Sequence, residues 1–302
     1  TTEIYTLSLH DALPICGAPS DHAVPVRGDG KGEEVLDHAL CLARRHKAHI
    51  EVLHCRPKPE DMVPYGVPLP SSRRKSLIAS ASNLANEEEG KVRKLFDDYC
   101  AKRGIPEIDG FPWPQDEVSA TWREATGKQA NVIGVKGRLV DLIAVPKPDR
   151  SQNLGLNTLQ AALLESGKLV LMCPPQPCTR LGEKIAIAWN GSGEAARAIT
   201  AALPILKEAQ EVVLLAPDGK NLPVSSDEAK VYLETHGVTC RLQGFTQSSS
   251  AVARILLENA KQAGADCLLM GAYGQSRQRE LIMGGVTQYV VDHADLPVLL
   301  MN

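Results

Sequence analysis

The sequence lacks an excess of charge of either sign. Its 302 residues carry 33 Lys and Arg against 36 Asp and Glu, a formal net charge of −3. A nearly balanced charge gives no general electrostatic attraction to nucleic acid or to an anionic membrane. We therefore predict no nucleic-acid partner and no membrane partner, and any anion site must be local.

Long apolar runs and paired cysteines are missing as well. The longest apolar runs, such as residues 212–216, have the length of a strand and fall far short of the roughly 20 residues that span a bilayer. The eight cysteines are scattered without a C-x2-C pair. This pattern favours small buried thiols in a soluble, cytoplasmic protein over a disulfide framework.

The N-terminal segment has no counterpart elsewhere in the chain. Residues 1–15, TTEIYTLSLHDALPI, resemble a translated cloning adaptor more than an export signal, because no basic region precedes the apolar stretch. We expect residues 1–21 to be non-native or disordered and leave them out of the fold. A native N-terminal strand is the alternative.

The remainder of the chain repeats itself once. Residues 24–33 align with residues 185–194, and three further apolar runs recur in the same order in both halves. A Pro-rich stretch at 56–70 and a long helical pattern after it lengthen the first copy. These matches predict domain 1 over residues 22–175 and domain 2 over residues 182–302, with a Pro-containing linker between them.

Strands and helices alternate within each copy. In the second copy, apolar residues from Ala195 to Leu206 follow the spacing of a helix with one buried face, and Ser225 or Ser226 before Asp227 and Glu228 marks another helix start. Such alternation predicts an α/β fold of two tandem domains, each a doubly wound, five-stranded parallel sheet with helices on both faces. If the strand order is 3-2-1-4-5, a ligand crevice opens between the first and fourth strands.

A glycine pattern follows the predicted fourth strand of the second copy. Residues 271–285 read GAYGQSRQRELIMGG, that is, Gly271-x2-Gly274-x9-Gly284, and precede a helical segment. A buried strand, a glycine loop and a helix N-terminus in this order favour a phosphate through backbone N–H groups and the helix dipole. The alternative is a strand-to-helix turn in which glycines only supply positive φ.

Over about residues 22–302 the chain resembles the universal stress proteins in their tandem form, most specifically in the family's G-x2-G-x9-G-[S/T] nucleotide motif. The resemblance implies an α/β sandwich that dimerises and often binds ATP or AMP. It assigns ribose and phosphate contacts to Gly271 and Gly274, and the phosphate tail to Gly284 and Thr287. We add four residues to this nucleotide-binding set: Asn190, Gly191, Ala216 and Gly285.

The chain departs from the family pattern at three places. Gly285 stands where a hydroxyl residue is usual, and Asn190 stands where ATP-binding members commonly have Asp, so any Mg²⁺ would rest mainly on the phosphates. In the first copy, residues 146–149 read PKPD in place of G-x2-G. Proline supplies no N–H to a phosphate, and we expect the N-terminal site to be degenerate.

Several residues have a functional and a structural interpretation. Asn190 and Gly191 could form an ordinary turn. Trp189 is predicted to pack in the core rather than stack on adenine, and Arg277 and Arg279 to be exposed loop residues. We predict no metal site and no catalytic residues.

Three histidines invite a metal interpretation. His49 and His54 fall on a predicted strand and His46 ends a helix, so a shared ligand face is not expected.

Three functions remain open at this stage. The first is a cytoplasmic stress-response regulator that binds ATP or AMP in its C-terminal domain. Such a protein is not primarily an enzyme, and at most it hydrolyses ATP slowly. The second is a protein-interaction scaffold that binds no nucleotide, and the third is an enzyme on the same fold. No G-x4-G-K-[S/T] loop or H-x-G-H pair supports the third. The two domains are expected to pair with each other through their fifth strands, and a homodimer could form in addition.

Overall fold

The computed structural model describes residues 21–26, 32–56, 58, 71–110, 112–114, 116–152, 154–219, 222–246, 252–274 and 285–302. Within these residues the chain forms one ten-stranded sheet with helices on both faces. The predicted segment 1–21 lies outside them except for Asp21, and so do Gly284, Arg277 and Arg279.

Each half alternates strands with helices. The first half consists of β1 (Asp21–Val26), α1 (Gly32–His46), β2 (His49–Arg56), α2 (Ser71–Arg103), β3 (Ser119–Thr126), α3 (Gln129–Lys136), a 3₁₀ turn (Gly137–Leu139), β4 (Leu142–Pro146), α4 (Leu156–Glu165) and β5 (Leu169–Cys173). The second half consists of β6 (Lys184–Ala188), α5 (Gly193–Lys207), β7 (Glu211–Pro217), α6 (Ser226–Thr235), β8 (Cys240–Phe245), α7 (Val252–Gln262), β9 (Cys267–Gly271), α8 (Gly285–His293) and β10 (Val298–Met301).

The strand order is β3-β2-β1-β4-β5-β10-β9-β6-β7-β8. Among the named strands of the described residues, pairing is parallel within each half and antiparallel between β10 and β5, where Leu299 lies opposite Leu171. The predicted α/β class and the order 3-2-1-4-5 are therefore confirmed in both copies. The fifth strands also meet as expected and join the two sheets into one.

Alternation along the strands produces two apolar layers. Within β5, Leu169 and Leu171 face one layer while Val170 and Met172 face the other, and all four are buried. Residues of α1, α2, α5 and α6 join the first layer, and residues of α3, α4, α7 and α8 join the second. Because side chains on a strand point alternately to opposite faces, central strands covered on both sides are apolar throughout.

Local signals fix several helix ends. Ser225 caps α6 by accepting the N–H of Glu228, whose carboxylate accepts the N–H of Ser225 in return. This capping box confirms the predicted helix start.

Among the described residues, no helix combines the length and the apolar character that a bilayer crossing requires.

Candidate functional site

A cavity of about 580 Å³ lies at the carboxyl ends of the strands in the second half. β6 and β9 are neighbours in the sheet, and the loops that follow them both line it. The chain winds in opposite directions from these two strands, so their loops part and leave a crevice. This is where the sequence predicts a ligand.

The structure brings most of the predicted residues to this cavity. Asn190, Gly191, Gly271, Gly274 and Thr287 all line it. Gly284 lies outside the described residues, and Gly285, at φ 59°, begins α8 next to the lining residue Val286.

Ala216 is the predicted residue that the structure places elsewhere. Its side chain packs in the apolar layer on the opposite face of the sheet, whereas its neighbours Leu215 and Pro217 line the cavity. Strand alternation explains the difference, because a shift of one residue moves a side chain to the other face.

The loop after β6 is a tight turn that leads into α5. The Asn190 side-chain oxygen accepts the N–H of Ser192 at 3.1 Å, and the Ser192 hydroxyl caps α5 by accepting the N–H of Ala195 at 3.2 Å. Gly191 has φ 73°, and a Cβ there would lie 2.9 Å from the Val224 oxygen. Asn190 and Gly191 therefore have the structural role of a turn, which leaves the Asn190 amide nitrogen as its polar group for a ligand.

The glycines after β9 allow a close approach to α5. A Cβ at Gly271 would lie 2.5 Å from the Ala195 nitrogen, and one at Gly274 would lie 2.9 Å from Oε2 of Glu194. Neither glycine has a positive φ, so the turn explanation does not apply to them. Tyr273 between them adopts φ 55°, and a left-handed tyrosine at a cavity wall is typical of a functional or tightly constrained loop.

Glu194 is a cavity residue that the sequence alone did not indicate. Its Oε1 accepts a hydrogen bond from Arg197 at 3.0 Å, while Oε2 is buried and has no hydrogen-bond partner in the described part of the chain. A carboxylate in the first turn of a helix is stabilised by the helix dipole. The cavity therefore carries a negative charge beside Gly274.

The rest of the wall divides into a polar and an apolar part. Thr287 is buried in the first turn of α8. Its hydroxyl oxygen accepts a long hydrogen bond of 3.5 Å from the Tyr273 N–H. The apolar wall includes Leu215, Pro217, Pro223, Phe245, Leu256 and Met270. A polar rim at a helix start and an apolar interior suit an amphipathic ligand with an anionic end.

Residues 245–302 match the model of the universal stress protein family. A universal stress protein from Archaeoglobus fulgidus DSM 4304 superposes with a TM-score of 0.65 over 93% of this chain and 98% of its own, at 14% identity. The predicted resemblance is confirmed. The chain has the universal stress protein fold over both halves.

Two further structures agree on the fold. A putative universal stress protein from Pseudomonas aeruginosa UCBPP-PA14 matches with a TM-score of 0.51 and 17% identity over 94% of each chain. A functionally unknown protein from P. aeruginosa PAO1 has the same score and identity over 94% of this chain and 93% of its own. No curated protein matches the chain by sequence. At these identities the likeness establishes the fold and leaves the ligand to the site itself.

The first half of the chain uses the corresponding loop differently. After β4, the Lys147 ammonium donates to the Ala294 carbonyl at 2.8 Å, and Arg150 pairs with Asp292 at 2.5 Å. The recess beside Pro146 holds only about 10 Å³. In the described residues this loop therefore contacts the second half of the chain, whereas its counterpart after β9 lines a cavity.

The three histidines do not converge. His49 stacks on Trp113 and pairs with the Ser119 hydroxyl at 2.8 Å, while His54 stacks on Trp122. His46 faces Glu208 of the second half at 3.4 Å. Each ring has a separate packing role.

Trp189 lies at the boundary of core and cavity. It is buried, its indole N–H donates to the Val224 carbonyl at 3.1 Å, and it lines the cavity wall. The predicted core packing agrees with these contacts. The ring is also positioned to report on a ligand.

Proposed function

We propose that the second half of this chain binds an adenine nucleotide, ATP or AMP, and that the protein is a cytoplasmic stress-response regulator rather than an enzyme. The observation that carries the proposal is the cavity of about 580 Å³ between the loops of β6 and β9. Its size suits a nucleoside phosphate, and it lies at the switch point where such ligands bind in open parallel sheets.

The two parts of the cavity fit the two parts of the ligand. The apolar wall around Phe245 and Met270 offers a dry surface to the base. The first turn of α8, where Thr287 lies, offers backbone N–H groups and a hydroxyl to the phosphates. Because Asn190 carries no charge, the carboxylate available to an accompanying Mg²⁺ on this part of the wall is that of Glu194.

We expect AMP and ATP to raise the melting temperature of the purified protein. A ligand that binds only the folded state stabilises it by RT ln(1 + [L]/Kd), roughly 2.7 kcal/mol at a hundredfold excess over Kd. Trp189 provides a direct second measurement, because its fluorescence should change on binding, whereas a Trp189→Phe variant should lose that signal and keep the thermal shift.

The Gly274→Val variant tests where the nucleotide binds. Its added side chain first meets the end of the flexible Glu194 side chain, so the variant should fold. It would also fill the approach to the phosphates and abolish the thermal shift. No shift for the unaltered protein at millimolar nucleotide would favour a scaffold of the same fold, and normal binding by Gly274→Val would place the ligand elsewhere.

The charge of Glu194 should oppose a free nucleotide and favour its magnesium complex. We expect Glu194→Gln to tighten ATP binding without Mg²⁺ by about tenfold, since removing one like charge near the phosphates is worth on the order of 1.4 kcal/mol. With Mg²⁺ present, the increase in ATP affinity caused by Glu194→Gln should become smaller or change into a decrease.

Isothermal titration with and without Mg²⁺ measures both effects of the Glu194 substitution. Glu234→Gln is the matched control, because Glu234 is a surface residue of α6 paired with Lys230 and does not line the cavity. If Glu194→Gln and Glu234→Gln change ATP affinity equally, Glu194 does not face the phosphates.

A further inference from the structure

Two cysteines lie together where the first half meets the linker. Cys41 is on α1, and Cys178 lies in the segment between β5 and β6. The Cys178 thiol donates to the Arg180 carbonyl at 3.6 Å, and the Cys41 thiol donates to the Cys178 carbonyl at 3.4 Å. The contact joins residues 137 positions apart in sequence, so it is a product of the fold.

Accessibility separates this pair from the other described cysteines. Cys41 and Cys178 are both partly exposed, whereas Cys100, Cys173, Cys240 and Cys267 are buried. Cys55 is also partly exposed, and it lies on β2, away from the linker. A dissolved oxidant can therefore reach two neighbouring sulfurs at one place.

The two thiols differ in acidity. The neighbouring Cys178 side chain lowers the pKa of Cys41, and the guanidinium groups of Arg44 and Arg103 act in the same direction against burial and Asp37. The neighbouring Cys41 side chain, together with burial, raises the pKa of Cys178. This difference favours Cys41 as the nucleophile of the pair and Cys178 as the thiol that resolves it.

We propose that Cys41 and Cys178 form a peroxide-oxidised, reversible disulfide that fastens the linker to α1. The Cys41 thiolate attacks one oxygen of hydrogen peroxide, the O–O bond breaks, and Cys41 becomes a sulfenic acid while hydroxide leaves. Cys178 sulfur then attacks the sulfenic sulfur, the S–S bond forms, and the hydroxyl leaves. With the thiol protons, one peroxide is reduced to two waters as two thiols are oxidised.

The surroundings of the pair allow this bond. A disulfide brings two sulfurs to about 2.05 Å, so the two thiols must approach each other to form one. Cys178 lies in a segment without helix or strand, where a backbone shift breaks no helix or strand hydrogen bond. The end of the same segment is held by the second half, because the carboxylate of Asp266 accepts the N–H groups of Gly182 and Glu183. The bond would therefore tie α1 to a segment already attached to the other half.

The proposal is tested by treating the full chain with hydrogen peroxide, blocking the remaining thiols and mapping a non-reducing digest by mass spectrometry. We expect a peptide pair linked through Cys41 and Cys178 that dithiothreitol separates. The melting temperature should rise on oxidation, because the cross-link restrains the unfolded chain.

Three variants identify the roles of the sulfurs. Cys178→Ser should accumulate a sulfenic acid on Cys41 that dimedone traps, and should show no rise in melting temperature on oxidation. Cys41→Ser should leave Cys178 as a free thiol. Cys55→Ser, the matched control, should form the linked peptide as the unaltered chain does.

The proposal is overturned if Cys41 proceeds to a sulfinic acid while Cys178 stays reduced, or if the cross-links join different chains or other cysteines. It is also overturned if Cys178→Ser shows the same rise in melting temperature as the unaltered chain.

Discussion

Gly271→Ala is expected to lower the free energy of unfolding by about 3 kcal/mol. The added methyl group would lie 2.5 Å from the Ala195 nitrogen and 2.7 Å from the Glu194 carbonyl carbon, both of them backbone atoms in the first turn of α5. Backbone cannot rotate away as a side chain can, so β9 and α5 must separate. Urea unfolding followed by circular dichroism measures the loss.

Gly274→Ala is the matched comparison, three residues further along the same loop. Its methyl group meets the end of the Glu194 side chain at 2.9 Å, and that side chain can change rotamer. We expect a cost below about 1 kcal/mol. Equal urea midpoints for the two alanine variants would contradict the close approach of Gly271 to α5.

Acid should destabilise the protein through its buried histidines. Burial, followed by the neighbouring His46, lowers the pKa of His22 from 6.5 to about 4, and Asp141 acts in the opposite direction. The unfolded chain takes up this proton below pH 6.5, whereas the folded chain does so only near pH 4. In that interval the unfolded state binds more protons, so stability is fully present above pH 6.5 and falls as the pH falls.

The expected loss from His22 is about 3 kcal/mol between pH 6.5 and pH 4, because each unit of pKa shift corresponds to roughly 1.4 kcal/mol. His49 adds to it in the same direction, since burial and then Arg123 lower its pKa to about 4. Urea midpoints across this range measure the effect. His22→Leu should show a shallower pH dependence; the same slope for His22→Leu and the unaltered chain would exclude His22 as the cause.

The sequence predicts the sheet well because its signals repeat. Apolar runs at equivalent places in the two copies indicate the strands that become β4 and β9, and the long helical pattern after residue 70 becomes α2, Ser71–Arg103. The strand order and the contact of the fifth strands follow from the family resemblance and the parallel topology. Local capping at Ser225 needs only the residues nearby.

The candidate site is predicted less completely, because its details arise from contacts between distant segments. The position of the glycine loop is found from sequence, but its approach to Glu194 depends on how α5 packs across the end of β9. The left-handed backbone of Tyr273 has no signal in its residue type. The sequence places Ala216 at the correct strand end, but its side chain points to the other face of the sheet, a difference of a single residue in register.

Because β5 and β10 belong to one chain, their antiparallel pairing at the centre of the sheet should not depend on protein concentration. In an assembly of two separate chains such an edge contact forms only above a threshold protein concentration. Here the linker holds both edge strands on one polypeptide, at an effective local concentration on the order of millimolar. The ten-stranded sheet is therefore expected to persist at any protein level at which the chain itself stays folded.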